Sequence, residues 1–234
     1  IMDIKNLKLE FEKLYKKALN VDVSIREHPV VLLEAVKSLV GINPTVDCEK
    51  TLIELKSFIA KYPPSYFNGD SNNDLKIPEV ISFVDLKQFL IDKNQKKVEK
   101  NIFYLSRVSD GKQILEFLLE FSLEYSSFYI HQYIWAIYRM ELFLNNKFID
   151  VSLKRTCQKI LQSEYSLLSE ESKEINWNVL FNSYEIDFTQ TALYYSISKT
   201  DLIRQGKIKQ ILKLINEFKG REEIEQNDYK YLED

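Results

Sequence analysis

The spacing of apolar residues predicts helices along most of the chain. Near the N-terminus, the apolar residues that recur at steps of three and four are Ile4, Leu7, Phe11, Leu14 and Ala18. This spacing places apolar side chains on one face of a helix, with the intervening lysines and glutamates on the opposite face. We therefore expect a first helix over residues 3–19.

Proline and glycine residues mark the ends of the next helices. Pro29 suits a first helical turn, where its missing N–H has no partner anyway, and Gly41 suits a left-handed residue that ends a helix. These signals predict a second helix over residues 29–40, with His28 at its N-cap. Asp47 can cap a third helix, which the following Pro63-Pro64 pair stops.

A polar loop over residues 68–74 precedes a long region of helical pattern. No proline occurs after Pro78, and this residue is expected to begin a fourth helix. A fifth helix follows around Ile102. Residues 112–145 suit a helix nearly throughout, with a break expected at Ser126-Ser127, where hydroxyls compete for backbone hydrogen bonds.

The last third of the chain continues the helical pattern. Asp150 can cap a further helix, and two later helical segments are centred on Leu193 and Leu212, with Gly206 between them. The predicted fold class is therefore all-α, a single domain over residues 1–220 built as a multi-helix bundle of antiparallel helical hairpins. Residues 221–234 carry six acidic and two basic residues and are expected to form an acidic, flexible tail.

Composition and charge exclude several classes of protein. The chain has 32 Lys and Arg against 35 Asp and Glu, a net charge of -3, with both signs scattered along the sequence. This balance argues against a broad nucleic-acid surface. With 14 Phe, 14 Tyr and 2 Trp, the chain has enough bulk for a packed core, which argues against intrinsic disorder.

The remaining residue counts and motifs predict no metal site, no membrane span and a cytoplasmic location. Cys48 and Cys157 stand alone, and two histidines cannot supply a three-histidine zinc site. The longest stretch without a charged residue, 125–138, is shorter than the ~18 apolar residues of a spanning helix. The N-terminus lacks the pattern of a signal peptide. Phosphate-binding loops and the common hydrolase motifs are absent from the sequence.

His131 lies in the most aromatic part of the chain. Because residues three or four apart share a helix face, it forms a stripe with Phe128, Trp135 and Tyr138. An imidazole framed by rings suits a ligand pocket, and it equally suits a core histidine bonded to a backbone or carboxylate group. Arg139, beside this stripe, could hold an anionic ligand or pair with a carboxylate of another helix. These residues are the candidate ligand-binding set.

His28 is the second candidate for chemistry. At a helix N-cap, the neighbouring amides disfavour an imidazolium and could donate to a bound anion. The alternative is a purely structural role in capping the helix. Together with His131, it forms the candidate catalytic pair, because histidine is the common group for proton transfer.

Three segments resemble the questin oxidase-like family. Glu27-His28-Pro29 and the apolar run that follows it resemble the opening of that family, which has an Asn-His-Gly type motif there. The segment at residues 130–135 resembles the family's Thr-His-Gly-Val-Ile-Arg type motif. A later stretch, residues 153–168, is similar to the following helix of the family and its Tyr-x-x-Leu ending. The resemblance covers about residues 25–170.

This resemblance implies a helical oxidoreductase. Members of the family include enzymes of Baeyer-Villiger-type oxidation of aromatic polyketides, and His28 and His131 stand at the matching histidine positions. Where the family pattern has an Arg and a second His, this chain has Trp135 and Tyr138. These departures imply a different substrate or a lost activity.

Two functions follow from the sequence. The first is an enzyme or ligand-binding protein with an aromatic-lined pocket for a hydrophobic or aromatic small molecule, at which His28 and His131 converge. The alternative is a non-catalytic helical module that binds a protein partner, such as an inhibitor or immunity-type protein. The sequence identifies no cofactor for either function.

Overall fold

The computed structural model describes residues 4–43, 47–65, 81–125, 127–163 and 188–200, with three more positions at 211, 214 and 215. Within this part of the chain there are nine α-helices, one turn of 3₁₀ helix and no β-strand, so the all-α fold class is confirmed. The α-helices are α1 (Ile4–Leu19), α2 (Pro29–Ile42), α3 (Cys48–Ile59), α4 (Phe83–Ile91), α5 (Gln95–Val108), α6 (Gly111–Ser122), α7 (Phe128–Phe143), α8 (Ile149–Gln162) and α9 (Phe188–Ser198).

The chain divides into two compact units. The first comprises Ile1–Leu118 and Gln132–Ser163, and the second comprises Leu119–His131 and Glu164–Asp234. The single domain over residues 1–220 stays a prediction. The predicted acidic tail, and the predicted Gly206 break and Leu212, lie outside the described residues. None of the described helices is both long enough and apolar enough to cross a bilayer.

In the first unit, α1 packs against α2, α3 and α8, while α4 and α5 pack against each other and against α8. The apolar face predicted for α1 is confirmed at Phe11, Leu14 and Ala18, which are almost completely buried. Burial of each large apolar side chain contributes about 1.5–3 kcal/mol relative to its exposed state. Burial of this face holds α1 against its neighbours, and the lysine-rich side of the helix is exposed to solvent.

Several local predictions are confirmed. His28 is the N-cap of α2, and the Asp47 carboxylate accepts the backbone N–H of Lys50 at the start of α3. The described helices are interrupted where a break was expected, since α6 ends at Ser122 and α7 begins at Phe128, with Ser127 outside both helices. Ser126 itself lies outside the described residues. Each of these features depends only on residues that are close in the sequence, so it can be predicted from the sequence.

Two predicted helix ends are wrong. The second helix continues through Gly41 to Ile42, and Asn43 donates its backbone N–H to the Leu39 carbonyl. Gly41 is not left-handed, and nothing crowds its Cα, so the regular hydrogen-bond ladder simply continues. The helix predicted to run from Pro78 through Phe83 is interrupted at Ile81 and Ser82, which are not helical, and α4 begins at Phe83, where the Ser82 hydroxyl accepts the N–H of Asp85. Pro78 itself lies outside the described residues.

The start of α8 also differs from its prediction. Asp150 lies inside the first turn, and the N-cap is Phe148, whose own side chain makes no capping bond. The capping acceptor comes from another helix, since the Glu141 carboxylate of α7 accepts the Phe148 N–H at 3.2 Å. Asn145 and Asn146 complete the turn with positive φ angles of 57° and 58°, a conformation that asparagine tolerates.

Candidate functional site

His131 lies in the second unit, completely buried, with both ring nitrogens hydrogen-bonded. Its Nε2 is 2.7 Å from the backbone carbonyl of Ser122, and its Nδ1 is 2.8 Å from the hydroxyl of Tyr194 on α9. A carbonyl only accepts, so the proton is on Nε2, and Nδ1 accepts the Tyr194 O–H. Burial lowers the pKa of His131 to about 4, so the ring is neutral near pH 7. This is the geometry of a core histidine, and its catalytic role stays a prediction.

The other members of the predicted aromatic stripe are also buried. Phe128 contacts the Tyr194 ring edge-on, with 6.4 Å between ring centroids, in the second unit. In the first unit, Trp135 stacks on Tyr138 at 5.9 Å and 16° between planes. Burial and the Glu116 carboxylate raise the pKa of Tyr138 to about 12. None of these aromatic residues lines a described cavity, and their ligand-binding role stays a prediction.

Arg139 forms an ion pair with a carboxylate of another helix, which is one of the two roles that the sequence allowed. Its Nε is 2.7 Å from the Glu34 carboxylate of α2, and it also donates to the Ser38 hydroxyl at 3.2 Å. The guanidinium lies over the Trp135 ring, 5.8 Å from its centroid. Arg139 therefore fixes α2 to α7 within the first unit.

His28 is almost completely buried in the first unit, and it caps α2. Its Nδ1 accepts the Val30 N–H at 3.4 Å. Its ring meets Tyr133 edge-on, with 4.6 Å between ring centroids. Burial, and then the charges of Lys159 and Arg155, lower the pKa of His28 to about 3, which keeps the ring neutral. The structure thus groups His28 with Tyr133 and two cations of α8, and its catalytic role stays a prediction.

A groove between α1 and α3 is the large described cavity of the first unit. Its volume is about 580 Å³, within the usual range of small-molecule sites. The apolar lining comes from Leu14, Val21, Ile59, Ala60 and Pro64, and the polar lining comes from Lys13, Lys16, Lys17, Asn20, Lys56 and Tyr62. We call this cavity the α1–α3 groove. It has an aliphatic floor and a rim of four lysines.

The four rim lysines differ in their partners. Lys13 and Lys56 both contact the Glu10 carboxylate at 2.7 Å, so this one acid ties α1 to α3. The two contacts lower the pKa of Glu10 to about 2. Lys16 and Lys17, in the last turn of α1, form no ion pair with any described residue. One end of the groove therefore carries positive charge that no carboxylate in the described ranges compensates.

Asn20 marks the charged end of the groove, and its side chain is held at both ends. Its Nδ2 donates to the Lys16 carbonyl at 2.9 Å, and its Oδ1 accepts from Arg155 at 3.1 Å. Arg155 also donates to the hydroxyl and the carbonyl of Ser65. These bonds hold the chain on both sides of the Val21–Pro64 bridge and give this end of the groove a fixed shape.

A buried carboxyl forms a separate polar cluster in the first unit. The Glu141 side chain accepts the Ser152 hydroxyl at 2.5 Å, and Ser152 in turn accepts the Tyr15 hydroxyl at 2.9 Å. Burial raises the pKa of Glu141 despite these donors. The cluster caps α8 and joins α1, α7 and α8, so its role is structural.

This cluster predicts a pH-dependent effect of Glu141→Gln. A folded pKa above the unfolded one means that folded Glu141 binds its proton more tightly, so its contribution to stability falls as pH rises above about 4.5. We expect the unfolding free energy of wild type, minus that of the variant, to decrease between pH 4.5 and pH 7. Urea titrations at several pH values measure this difference. An increase with pH would contradict the assignment.

The α1–α3 groove could not be predicted from the sequence, because its rim lysines come from two helices. The only local signal is the spacing of Lys13, Lys16 and Lys17 at three and four residues, which places them on one side of α1. Lys56 joins them only through the packing of α3, which no sequence pattern specifies. Within the described part of the chain, no group of three or more His, Cys, Asp or Glu side chains is placed to hold a metal ion.

An exposed cluster of aromatic side chains would support binding of a protein partner. Among the described aromatic residues, Tyr129 is the one large exposed ring. Exposed apolar side chains occur on several helices, and three of them, Leu32, Leu39 and Ile42, lie on α2. Binding of a protein partner stays a prediction, and its test is whether Ile42→Glu abolishes any self-association seen by sedimentation velocity.

Comparison of the chain with protein-family models, with curated proteins and with solved structures finds no match. The resemblance to the questin oxidase-like family therefore stays a prediction, and the function has to be argued from the site itself.

Proposed function

We propose that the first unit binds a hydrophobic small molecule that carries an anionic group, in the α1–α3 groove. The observation that carries this proposal is an aliphatic floor bordered by four lysines in a cavity of about 580 Å³. Apolar lining with a few placed polar groups is the usual composition of a small-molecule site. A ligand that matches both parts is an amphiphile, such as a medium-chain carboxylate.

The lysine charges of the rim indicate at which end of the groove the anionic group of the ligand lies. Glu10 pairs with both Lys13 and Lys56 and offsets one of their two charges, so these two lysines attract an anion less strongly than Lys16 and Lys17 do. The anionic group belongs beside Lys16 and Lys17, and the Asn20 amide provides further polar contact there. The C-terminal end of α1 carries about half a negative charge from its dipole, which two lysine charges outweigh.

The proposed ligand is hydrophobic, as expected from the sequence, but its proposed site is the α1–α3 groove and not an aromatic-lined pocket at the two histidines. The groove has one aromatic residue, Tyr62, and neither histidine lines it. Its lysines, amide and aliphatic side chains suit binding, and they offer no carboxylate or imidazole for acid–base catalysis. An oxidoreductase activity at His28 and His131 stays a separate prediction.

Titration calorimetry with two matched surfactants tests the proposal. Decanoate and decyltrimethylammonium have the same chain length and opposite head charge, so a difference between them reports the lysine rim. We expect decanoate to bind at one site, at least about ten-fold more tightly than the cation, which corresponds to about 1.4 kcal/mol. Equal binding of both, or no saturable binding of decanoate, would contradict the proposal.

A pair of variants locates the binding. Ala60 is an exposed residue of the groove, and Ala60→Trp should fill the cavity and abolish decanoate binding. Ala35 is exposed on α2 outside the groove, so Ala35→Trp is the matched control and should bind as wild type does. Circular dichroism confirms that both variants fold. Binding that survives in Ala60→Trp would place the ligand elsewhere.

A further inference from the structure

A single carboxylate holds two of the four lysines at the rim of the α1–α3 groove. Glu10 of α1 contacts Lys13 through Oε1 and Lys56 through Oε2, each at 2.7 Å, so both of its oxygens have a cationic partner. Lys13 and Lys56 line the groove, whereas Glu10 is not part of the lining. The carboxylate therefore holds two rim lysines from a position outside the cavity.

Glu10 is ionised near neutral pH. Its hydrogen bonds to Lys13 and Lys56 lower the pKa of Glu10 to about 2. A second anion that bound either of these ammonium groups would lie within two hydrogen-bond lengths of the Glu10 carboxylate. Like charges at so short a separation repel each other, so this end of the rim is a poor site for a further anion while Glu10 is in place.

The two pairs of lysines lie at different positions along the groove. Lys16 and Lys17 follow Lys13 by about one helical turn, and Asn20 follows the end of α1. From Lys13 to Asn20 the distance is about 10 Å along the helix axis, which is comparable to an extended chain of ten carbons. A ligand whose anionic group lies beside Lys16 and Lys17 can therefore place its other end near Lys13 and Lys56.

We propose that Glu10 restricts the α1–α3 groove to ligands with one anionic end, because it occupies the two lysines that could bind a second anionic group. This inference rests on the proposed function of the groove, and it names the class of ligand: aliphatic monocarboxylates, and not α,ω-dicarboxylates. Without Glu10, the rim would present two further ammonium groups that no described carboxylate pairs with. Glu10 thus determines specificity through Lys13 and Lys56.

Titration calorimetry with decanoate and sebacate tests the proposal, since each ligand has ten carbons and they differ only in one end group. We expect wild type to bind decanoate at least about ten-fold more tightly than sebacate, because the second carboxylate must leave water for an apolar floor without gaining an ammonium of its own. In Glu10→Gln, the released lysines should bind that carboxylate, and the preference for decanoate should fall by at least about three-fold. Equal affinity of wild type for both ligands would overturn the proposal.

Glu12→Gln is the matched control. Glu12 also lies on α1, its side chain is 24% exposed against 22% for Glu10, and it pairs with Lys147, which is not part of the groove lining. The two variants change the net charge equally, so Glu12→Gln should keep the wild-type preference within about two-fold. An equal fall in both variants would assign the effect to total charge and overturn the proposal.

A triple variant tests whether the two lysines carry the effect. Adding Lys13→Gln and Lys56→Gln to Glu10→Gln should restore the wild-type preference, because no ammonium group is then left to bind the second carboxylate. Circular dichroism checks that each variant folds, which we expect because ion pairs at exposed sites contribute little to stability. A triple variant that still binds sebacate as Glu10→Gln does would overturn the proposal.

The proposal and the function on which it rests fail in different ways. If wild type shows no saturable binding of decanoate, the function proposed for the groove is contradicted, and the role of Glu10 with it. If decanoate binds and its preference over sebacate is the same in wild type and Glu10→Gln, the groove remains a binding site and the role of Glu10 alone is overturned.

Discussion

Replacing His131 with Ala is expected to lower the free energy of unfolding by about 3–5 kcal/mol. The substitution removes a fully buried ring and leaves a cavity. It also removes one hydrogen bond from each of two buried groups, the Ser122 carbonyl and the Tyr194 hydroxyl. Losses of this size arise when a cavity and lost buried hydrogen bonds occur together.

Chemical denaturation followed by circular dichroism measures this loss. Tyr194→Phe removes only one of the two hydrogen bonds and should cost about 1–2 kcal/mol. Tyr129→Phe, an exposed position on the same helix, is the control and should cost less than about 0.5 kcal/mol. If His131→Ala keeps the wild-type stability and instead loses binding of a planar aromatic ligand, the catalytic prediction from the sequence gains and the core role is contradicted.

His131 also makes the free energy of unfolding depend on pH. Burial lowers the folded pKa of His131 to about 4 from 6.5, so the unfolded chain binds the extra proton more readily between these values. Stability therefore falls as pH decreases from about 6.5 toward 4. His131→Ala should remove this pH dependence. The difference in the free energy of unfolding between wild type and His131→Ala should therefore become smaller as the pH is lowered from about 6.5 toward 4.

Replacing Lys16 and Lys17 together with Gln is expected to weaken decanoate binding about five- to thirty-fold. These two lysines supply positive charge at one end of the α1–α3 groove that no described carboxylate pairs with. A charge contact at a partly exposed site contributes about 0.5–1 kcal/mol, so the pair contributes about 1–2 kcal/mol. Because the aliphatic floor is unchanged, binding of decyltrimethylammonium should not weaken.

The control is the same double substitution on another helix. Lys96 and Lys97 are adjacent, exposed and on α5, outside the groove. Lys96→Gln with Lys97→Gln removes the same net charge and should leave decanoate affinity within about two-fold of wild type. If both double variants lose affinity equally, the effect is one of total charge, and the assignment of the anionic end is wrong. Affinity should also fall with added salt in wild type.

Much of the helical framework could be predicted because its signals are local. Asp47 and His28 cap the helices that follow them, and the apolar spacing of α1 matches its buried face. These features depend on residues within about one turn of each other. Gly41 shows the limit, since glycine permits a left-handed helix end without requiring one.

Features that depend on distant residues could not be predicted. At the start of α8, the capping acceptor is Glu141 and not the predicted Asp150. The turn between α7 and α8 brings the Glu141 carboxylate to the Phe148 N–H. Burial of Glu141 and its bond to Ser152 depend on the packing of three helices. No sequence pattern within α8 carries this information.

The aromatic stripe of α7 shows why spacing alone does not identify a pocket. The pattern placed Phe128, His131 and Trp135 on one face of the helix. Residues on the other faces, such as Tyr133 and Ile137, are buried as well. When a helix is buried on nearly all sides, a row of rings fills the core as readily as it lines a site.

Methyl NMR during a decanoate titration tests most directly whether the α1–α3 groove binds an anionic amphiphile. The methyl groups of Leu14, Val21 and Ile59 line the groove, and their signals should shift saturably with one dissociation constant. Ile114 and Leu118, which are buried away from the groove, serve as internal controls and should not shift. Shifts centred on other methyl groups, or no saturable shift at the three groove residues, would contradict the account.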